Sequence, residues 1–387
     1  MEKYNLLFEL LRYGLFDNKM TEESVKKLEN DEEKIQVLNA AKKHAISHLA
    51  AYSLEKANLV DSASKIGQKC SDVQMVAVYK YENLNYEYGR LCKTLDEAKI
   101  PFIVLKGAVI RKYYPEPWMR SSCDIDILVK ESDLERATEV VKTELGFTVT
   151  DKTHHDIQMH SPSGVMFELH FSLLGSDSIN KEADRIIENV WDYTEPLDGM
   201  EYGYRMNDDM LWFYHIVHLS KHIKNGGCGI TPFLDIFIME RDGSSESKLK
   251  LLKEGGLEKV DAASRDLAEV YFGSREYDEN TLALSEYVLY GDIEGRFENR
   301  AAFASKKGGS KLKNALKRVF CPYEVLKYRY PKLKKNKWLF IPYQFRRWFD
   351  ILFGGNKKKA VKEFKANLNV SDEKIDKVSK LRQNLGL

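Results

Sequence analysis

The sequence predicts a mixed α+β fold, in which a small mixed sheet carries the chemistry and helical regions flank it. Three observations predict this. Residues 1–98 repeat apolar side chains at helical spacing, residues 99–175 alternate short apolar strands with helices, and helical character returns from 176 onward. The chain has 387 residues, of which 43% are hydrophobic and 31% charged. That length suits roughly two to three domains and a sizeable core without disulfide or metal staples.

The elements follow in order. Val78, Tyr81, Leu84, Tyr88, Leu91 and Leu95 recur at steps of three and four, one face of a helix, and the Ala-rich stretch Leu38–Ala51 reads similarly. Residues 1–98 are therefore an N-terminal helical layer. At Pro101 the pattern changes. Phe102–Leu105 is a short strand that ends in the turn Lys106-Gly107, and a brief helix follows over Ala108–Tyr114. Asp124–Val129 is a second strand. Ser132-Asp133-Leu134-Glu135 has the form of a capping box, and its helix runs to Leu145 with Gly146 as the stop. Phe147–Thr150, Asp156–His160 and Val165–Phe171 are strands, the last two joined by the turn Ser161-Pro162-Ser163-Gly164. This core spans 99–175. Over 176–300, Asn207 caps a helix Asp208–Lys224 that Asn225-Gly226-Gly227 ends, and Phe233–Glu240 continues the bundle. Residues 242–300 read as charged and irregular. KKGGS at 306–310 is a linker, and the remaining chain interleaves basic and aromatic residues in short helices.

Charge is unevenly distributed. Residues 301–387 carry 23 Lys/Arg against 6 Asp/Glu, leaving 37 against 53 over residues 1–300. The basic segment either is neutralised by the acidic body or meets RNA or another anionic surface. Mean hydropathy is −0.46, and no run of 18 apolar residues suggests a transmembrane helix. The apolar N-terminus is broken by Glu2, Lys3, Glu9 and Arg12, unlike a secretory leader. Five scattered cysteines without a C-x-x-C pair make a reducing cytoplasm the expected location.

The sharpest chemical feature is Asp124-x-Asp126 within an apolar strand. Alternate strand residues share a face, so the two carboxylates project together while Ile125 and Ile127 enter the core. Like charges so placed call for a hard divalent cation such as magnesium, unless they are two solvated acids at a strand end. In Met166–His170, Glu168 and His170 share a face. If that strand lies beside the first, three acids converge in the manner of a two-metal phosphoryl-transfer site, with His170 in support. Lys106-Gly107, between a strand and a helix, offers a cation and close backbone approach to a phosphate.

Lys106-Gly107, Arg120, Asp124-x-Asp126 and Glu168-Leu169-His170 together resemble the nucleotidyltransferase fold of the DNA polymerase beta superfamily. They are most similar to a poorly characterised bacterial branch with Leu-Lys-Gly where Gly-Ser is usual. The resemblance covers residues 102–172 and extends loosely to the helix with His218 and His222. It implies two magnesium ions on Asp124, Asp126 and Glu168, and a nucleoside triphosphate with its β- and γ-phosphates near Lys106 and Gly107. Ala108 departs from the usual Ser and removes one hydroxyl contact. Arg120 then contacts phosphate, clamps the acids or bridges to a metal-site carboxylate.

His218, Lys221 and His222 share a helix face. They form a cationic wall toward the triphosphate or acceptor, a zinc pair, or a polar seam between helices, and Asp235 is a candidate to orient an imidazole. His154, His155 and His160 precede the Glu168 strand, either near the nucleotide or as strand-edge polar positions. The expected activity is magnesium-dependent transfer of a nucleoside monophosphate to a hydroxyl acceptor (small molecule, RNA or protein) with release of pyrophosphate. The alternative is an inactive nucleotide- or polyanion-binding scaffold.

Overall fold

Thr21, Asn30 and Ser64 each accept a hydrogen bond from a backbone N–H of the turn that follows, and so start three of the N-terminal helices. The computed structural model describes residues 2–174, 178–240, 245–291, 296–305 and 357–387, together with 320–353 apart from 322, 324–325, 328–329 and 331. The N-terminal layer comprises α1 (Glu2–Phe16), α2 (Glu22–Leu28), α3 (Asp31–Lys43), α4 (Ser47–Lys56) and the long α5 (Lys65–Glu97). The expected Leu38–Ala51 helix is interrupted at 44–46, where Ala45 adopts a positive φ of 55°. On α5 the predicted stripe is buried at Leu84, Leu91 and Leu95, while Val78 stays exposed.

Among the described residues seven strands form one sheet, in the order Thr148–Lys152, Asp156–His160, Met166–His170, Asp124–Val129, Phe102–Val104, Gly203–Met206 and Thr194–Pro196. The first two in the chain, β1 (Phe102–Val104) and β2 (Asp124–Val129), pair antiparallel. Between them lie α6 (Lys106–Ile110) and a 3-10 turn over Arg111–Tyr113, so the brief helix begins two residues earlier than expected. After β2 comes α7 (Leu134–Leu145). No side chain caps it, because a 3-10 turn over Glu131–Asp133 occupies the expected capping box. Gly146 ends α7 with φ 72°, as its position suggested.

Next come β3 (Thr148–Lys152), an exposed edge strand, then β4 (Asp156–His160) and β5 (Met166–His170). β5 runs parallel to β2. α8 (Lys181–Glu188) leads to β6 (Thr194–Pro196) and β7 (Gly203–Met206), and β7 pairs parallel with β1. These two strands lie in a stretch that read as helical. They are three and four residues long, too short to show a period in the sequence.

α9 (Asp208–Lys224) starts on the Asn207 cap and stops at Gly226 and Gly227, whose φ values are 113° and 125°. α10 (Thr231–Met239), α11 (Glu246–Glu254), α12 (Glu258–Phe272), α13 (Glu279–Leu289) and α14 (Phe297–Ala304) follow. The stretch expected to be irregular is therefore helical, held by buried Val260, Leu267, Tyr271 and Phe272 of α12. Phe8 of α1 stacks on Tyr271 at 4.1 Å, joining the first helix to the C-terminal half. Burial of each such ring contributes about 1.5–3 kcal/mol. The KKGGS linker lies outside the described residues. Beyond it, helices occupy Phe340–Phe353, Lys357–Asn369 and Asp372–Leu385. Among the described residues no helix is long and apolar enough to cross a membrane.

Candidate active site

β2 buries Ile125, Ile127 and Val129 on one face and carries half-buried Asp124 and Asp126, followed by buried Leu128, on the other. Parallel pairing sets Asp126 opposite Glu168 and Leu128 opposite His170. His170 Nε2 lies 3.2 Å from Asp126 Oδ1 and 3.5 Å from Glu168 Oε2. Gln158 of β4, which pairs with Glu168, donates to its Oε1 at 3.1 Å. Donor atoms of Asp126, Glu168 and His170 all fall within 4.8 Å of one another. Asp124 shares the face but stands outside that group.

The electrostatics follow from crowding. Burial, then the charges of Asp126 and Glu168, push the Asp124 carboxyl up to about 6 against the pull of Lys106 and Arg120. Burial also pushes Asp126 up, but a hydrogen bond and charge from His170, with help from Lys106, hold it below the usual carboxylate range. Burial would lower His170, yet hydrogen bonds to Asp126 and Glu168 and their charges raise it to about 9. An imidazolium thus sits between two acids. Asp124 is thus a buried carboxyl crowded by two further acids on the same face. The cluster's carboxylate oxygens are hard donors, and they fit magnesium.

Lys106 opens α6 at the edge of this cluster. Burial, then Arg120, lower its ammonium to about 7, opposed by Asp126, Asp235 and Asp124. Gly107 is not required by its backbone angles. A Cβ there would meet only Arg120 Nη1 and Ser122 Oγ, both at 3.9 Å, so the turn is left open. α6 is five residues long, which limits what its N-terminus adds.

Arg120 does not bridge to a metal-site carboxylate. Its Nε and Nη2 each donate to the Asp235 carboxylate of α10 at 2.9 Å, and the Tyr114 hydroxyl donates to the same group at 2.7 Å. Asp235 therefore orients no imidazole; His215 Nε2 meets the Pro232 carbonyl at 3.0 Å instead.

α9 closes the other side. Burial, then the Asp126 and Glu168 charges, raise the Tyr214 phenol. Burial, then Lys106, push His218 well down and bring His222 to about 4, so both imidazoles are neutral. The two imidazoles, with centroids 4.4 Å apart, add no charge to the expected cationic wall, which also includes Lys221. Lys221 Nζ donates to the Leu173 carbonyl at 3.3 Å. Neither donor cluster found among the described residues includes His218 or His222, which gives the zinc pair no third ligand. His155 lies 5.8 Å from the His170 ring and 3.3 Å from Asp156, His154 packs on it, and His160 meets Thr150 at the strand edge.

Sequence reasoning missed Gln158, Tyr114, Tyr214 and Arg111. Strand alternation could have found Gln158, flanked as it is by Ile157 and Met159. The Tyr114–Asp235 contact joins residues 121 apart, for which one sequence holds no signal. Among curated proteins, none matches this chain. The model of a family described as "Uncharacterised nucleotidyltransferase" matches residues 30–273, which contain the sheet, the acids of β2 and β5, and α9. The chain belongs to this family of uncharacterised nucleotidyltransferases.

Proposed function

We propose that this protein transfers a nucleoside monophosphate from a nucleoside triphosphate to a hydroxyl acceptor. The observation that carries this reading is Asp124 and Asp126 on β2 beside Glu168 on β5, with Lys106 and the open Gly107 turn next to them. The acceptor oxygen bonds to the α-phosphorus, the bond to the bridging α–β oxygen breaks, and pyrophosphate leaves with that electron pair. Glu168 takes the hydroxyl proton. Lys106, whose ammonium is lowered to about 7 by burial and then Arg120, supplies positive charge beside the departing pyrophosphate. Asp124, Asp126 and Glu168 would hold the magnesium ions, which supply charge neutralisation at the phosphates and activate the acceptor oxygen. Ser122, whose hydroxyl donates to the Asp124 carbonyl at 3.0 Å, stands beside the Gly107 turn. Asp126→Asn with unaltered nucleotide turnover would sink this assignment.

The C-terminal helices support an anionic surface as the chain's second partner. Trp338, Ile341, Phe345, Phe349 and Phe353 are each at least 59% exposed and recur at three- and four-residue steps. Ten Lys/Arg and one acid, Asp350, occupy residues 332–362. Phe349 and Phe353 centroids are 4.3 Å apart, which leaves no slot for a base between them and favours a lipid surface over RNA. Phe345→Gln/Phe349→Gln should release the full chain from anionic vesicles in a sedimentation assay. Retained binding would exclude this face.

A further inference from the structure

Near the Gly107 turn lies a cavity of about 270 Å³, bounded by α3, α4, α5 and the 120–123 segment, whose walls mix apolar side chains of α5 (Val73, Val76, Leu84) with cations. Lys42, Lys80, Arg111 and Arg120 line it, with Tyr81 and Ser122, and no Asp or Glu is among its lining residues. Arg111 is the telling member. It is 7% exposed, and its Nε is buried with no hydrogen-bond partner. Tyr81 stacks on the guanidinium at 5.4 Å. The nearby charge that acts on it is another cation: burial, then Arg120, both disfavour its ionised form. Ser47 also lines the cavity, at the start of a ten-residue helix whose N-cap, Ile46, offers no side-chain hydrogen bond.

A buried guanidinium without an anion is costly, and proteins ordinarily supply the anion themselves. Here Arg120 receives one from Asp235 and Arg111 does not. We propose that this cavity is a phosphate-binding subsite with Arg111 as its central donor. The forked N–H groups of arginine match phosphate oxygens two at a time. A volume of about 270 Å³ admits a phosphate or diphosphate group and falls below the range of whole-nucleotide pockets. Arg120 and Ser122, which line the cavity, also stand beside the Gly107 turn, so the cavity borders the transfer site. Two sources share this chemistry: the phosphate tail of the donor nucleotide and a phosphate on the acceptor. That choice of sources rests on the transfer reading above; phosphate binding itself does not.

The test titrates inorganic phosphate and pyrophosphate into the full chain by calorimetry, with thermal unfolding followed in parallel. Wild type, Arg111→Met and Arg111→Lys are compared, with and without each nucleoside triphosphate and magnesium. Loss of a two-pronged charged contact should weaken pyrophosphate binding about tenfold or more in Arg111→Met. That variant should unfold no earlier than wild type in phosphate-free buffer, and should lose the ligand-induced rise in Tm. Arg111→Lys should keep part of both. Competition by a nucleotide identifies the donor tail, and simultaneous binding identifies a phosphorylated acceptor. The proposal is overturned if wild type binds neither anion, or if Arg111→Met binds them equally. It is also overturned if Arg111→Met unfolds markedly earlier while Arg111→Lys restores stability without an anion. None of these failures touches the transfer reading, which the Asp126→Asn turnover assay decides.

Discussion

Arg111 and Arg120 flank the same short helix-and-turn segment, are both buried, and meet opposite fates. Arg120 is knotted to Asp235, which also accepts from the Tyr114 hydroxyl, with every contact at 2.9 Å or less. Arg111 has an aromatic face and a second cation for company. The acids divide in the same way. Asp235 is neutralised from within the fold, whereas Asp124 is pushed up to about 6 by burial and by its neighbours' charges. Charges that the fold satisfies hold the walls together. Charges that it leaves unmet are the places where, on the proposals above, a ligand would supply the missing partner.

This comparison can be broken at each of its members. Asp126→Asn should lower nucleotide turnover by at least about a thousandfold, since groups acting in the transition state are grossly non-additive and individually indispensable. Its Tm should fall by less than that of Asp235→Asn, because Glu168 still pairs with the His170 imidazolium. Asp235→Asn should do the reverse. Leaving Arg120 buried and unpaired should destabilise the protein by about 3–5 kcal/mol, read by urea unfolding. A loss below about 1 kcal/mol would show that the knot is not what holds these walls.

A pH series sharpens the same point. Burial pushes the Asp235 carboxyl up, but Arg120, His215 and the hydrogen bonds from Arg120 and Tyr114 hold it below its usual value. Its stabilisation is present above about pH 4 and is lost as pH falls through the lower folded value. Wild type should therefore lose Tm below about pH 4 more steeply than Asp235→Asn. Parallel curves would contradict this. The smallest effect belongs to Arg111→Met, whose stability without phosphate should lie within about 1 kcal/mol of wild type.

Much of the site was legible because strands and helices write their faces into short stretches. Asp124, Asp126, Glu168 and His170 each sit at alternate positions within six residues, and Asn207 and the Gly226-Gly227 pair bracket α9 as read. What failed was either non-local or too short to carry a period. β6 and β7 join the sheet through pairing with β1, which their own residues do not announce. The helices over 246–304 carry many charges on their exposed faces, and these masked the buried stripe of α12. The capping box at Ser132 was legible but not formed, because a 3-10 turn takes up those residues. Arg111 was invisible as a site residue. Beside Lys112 it reads as one more surface charge, and its isolation exists only once α5 brings Tyr81 over it.

The central claim is that the β2 and β5 acids, with Lys106 and Gly107, form a metal-dependent nucleotide site. The most direct test is calorimetric titration of the four nucleoside triphosphates, with and without magnesium, into wild type and into Asp124→Asn/Asp126→Asn. The account predicts magnesium-dependent binding of at least one nucleotide to wild type and its loss in the double variant. Binding that ignores magnesium, or that survives in the variant unchanged, would contradict it.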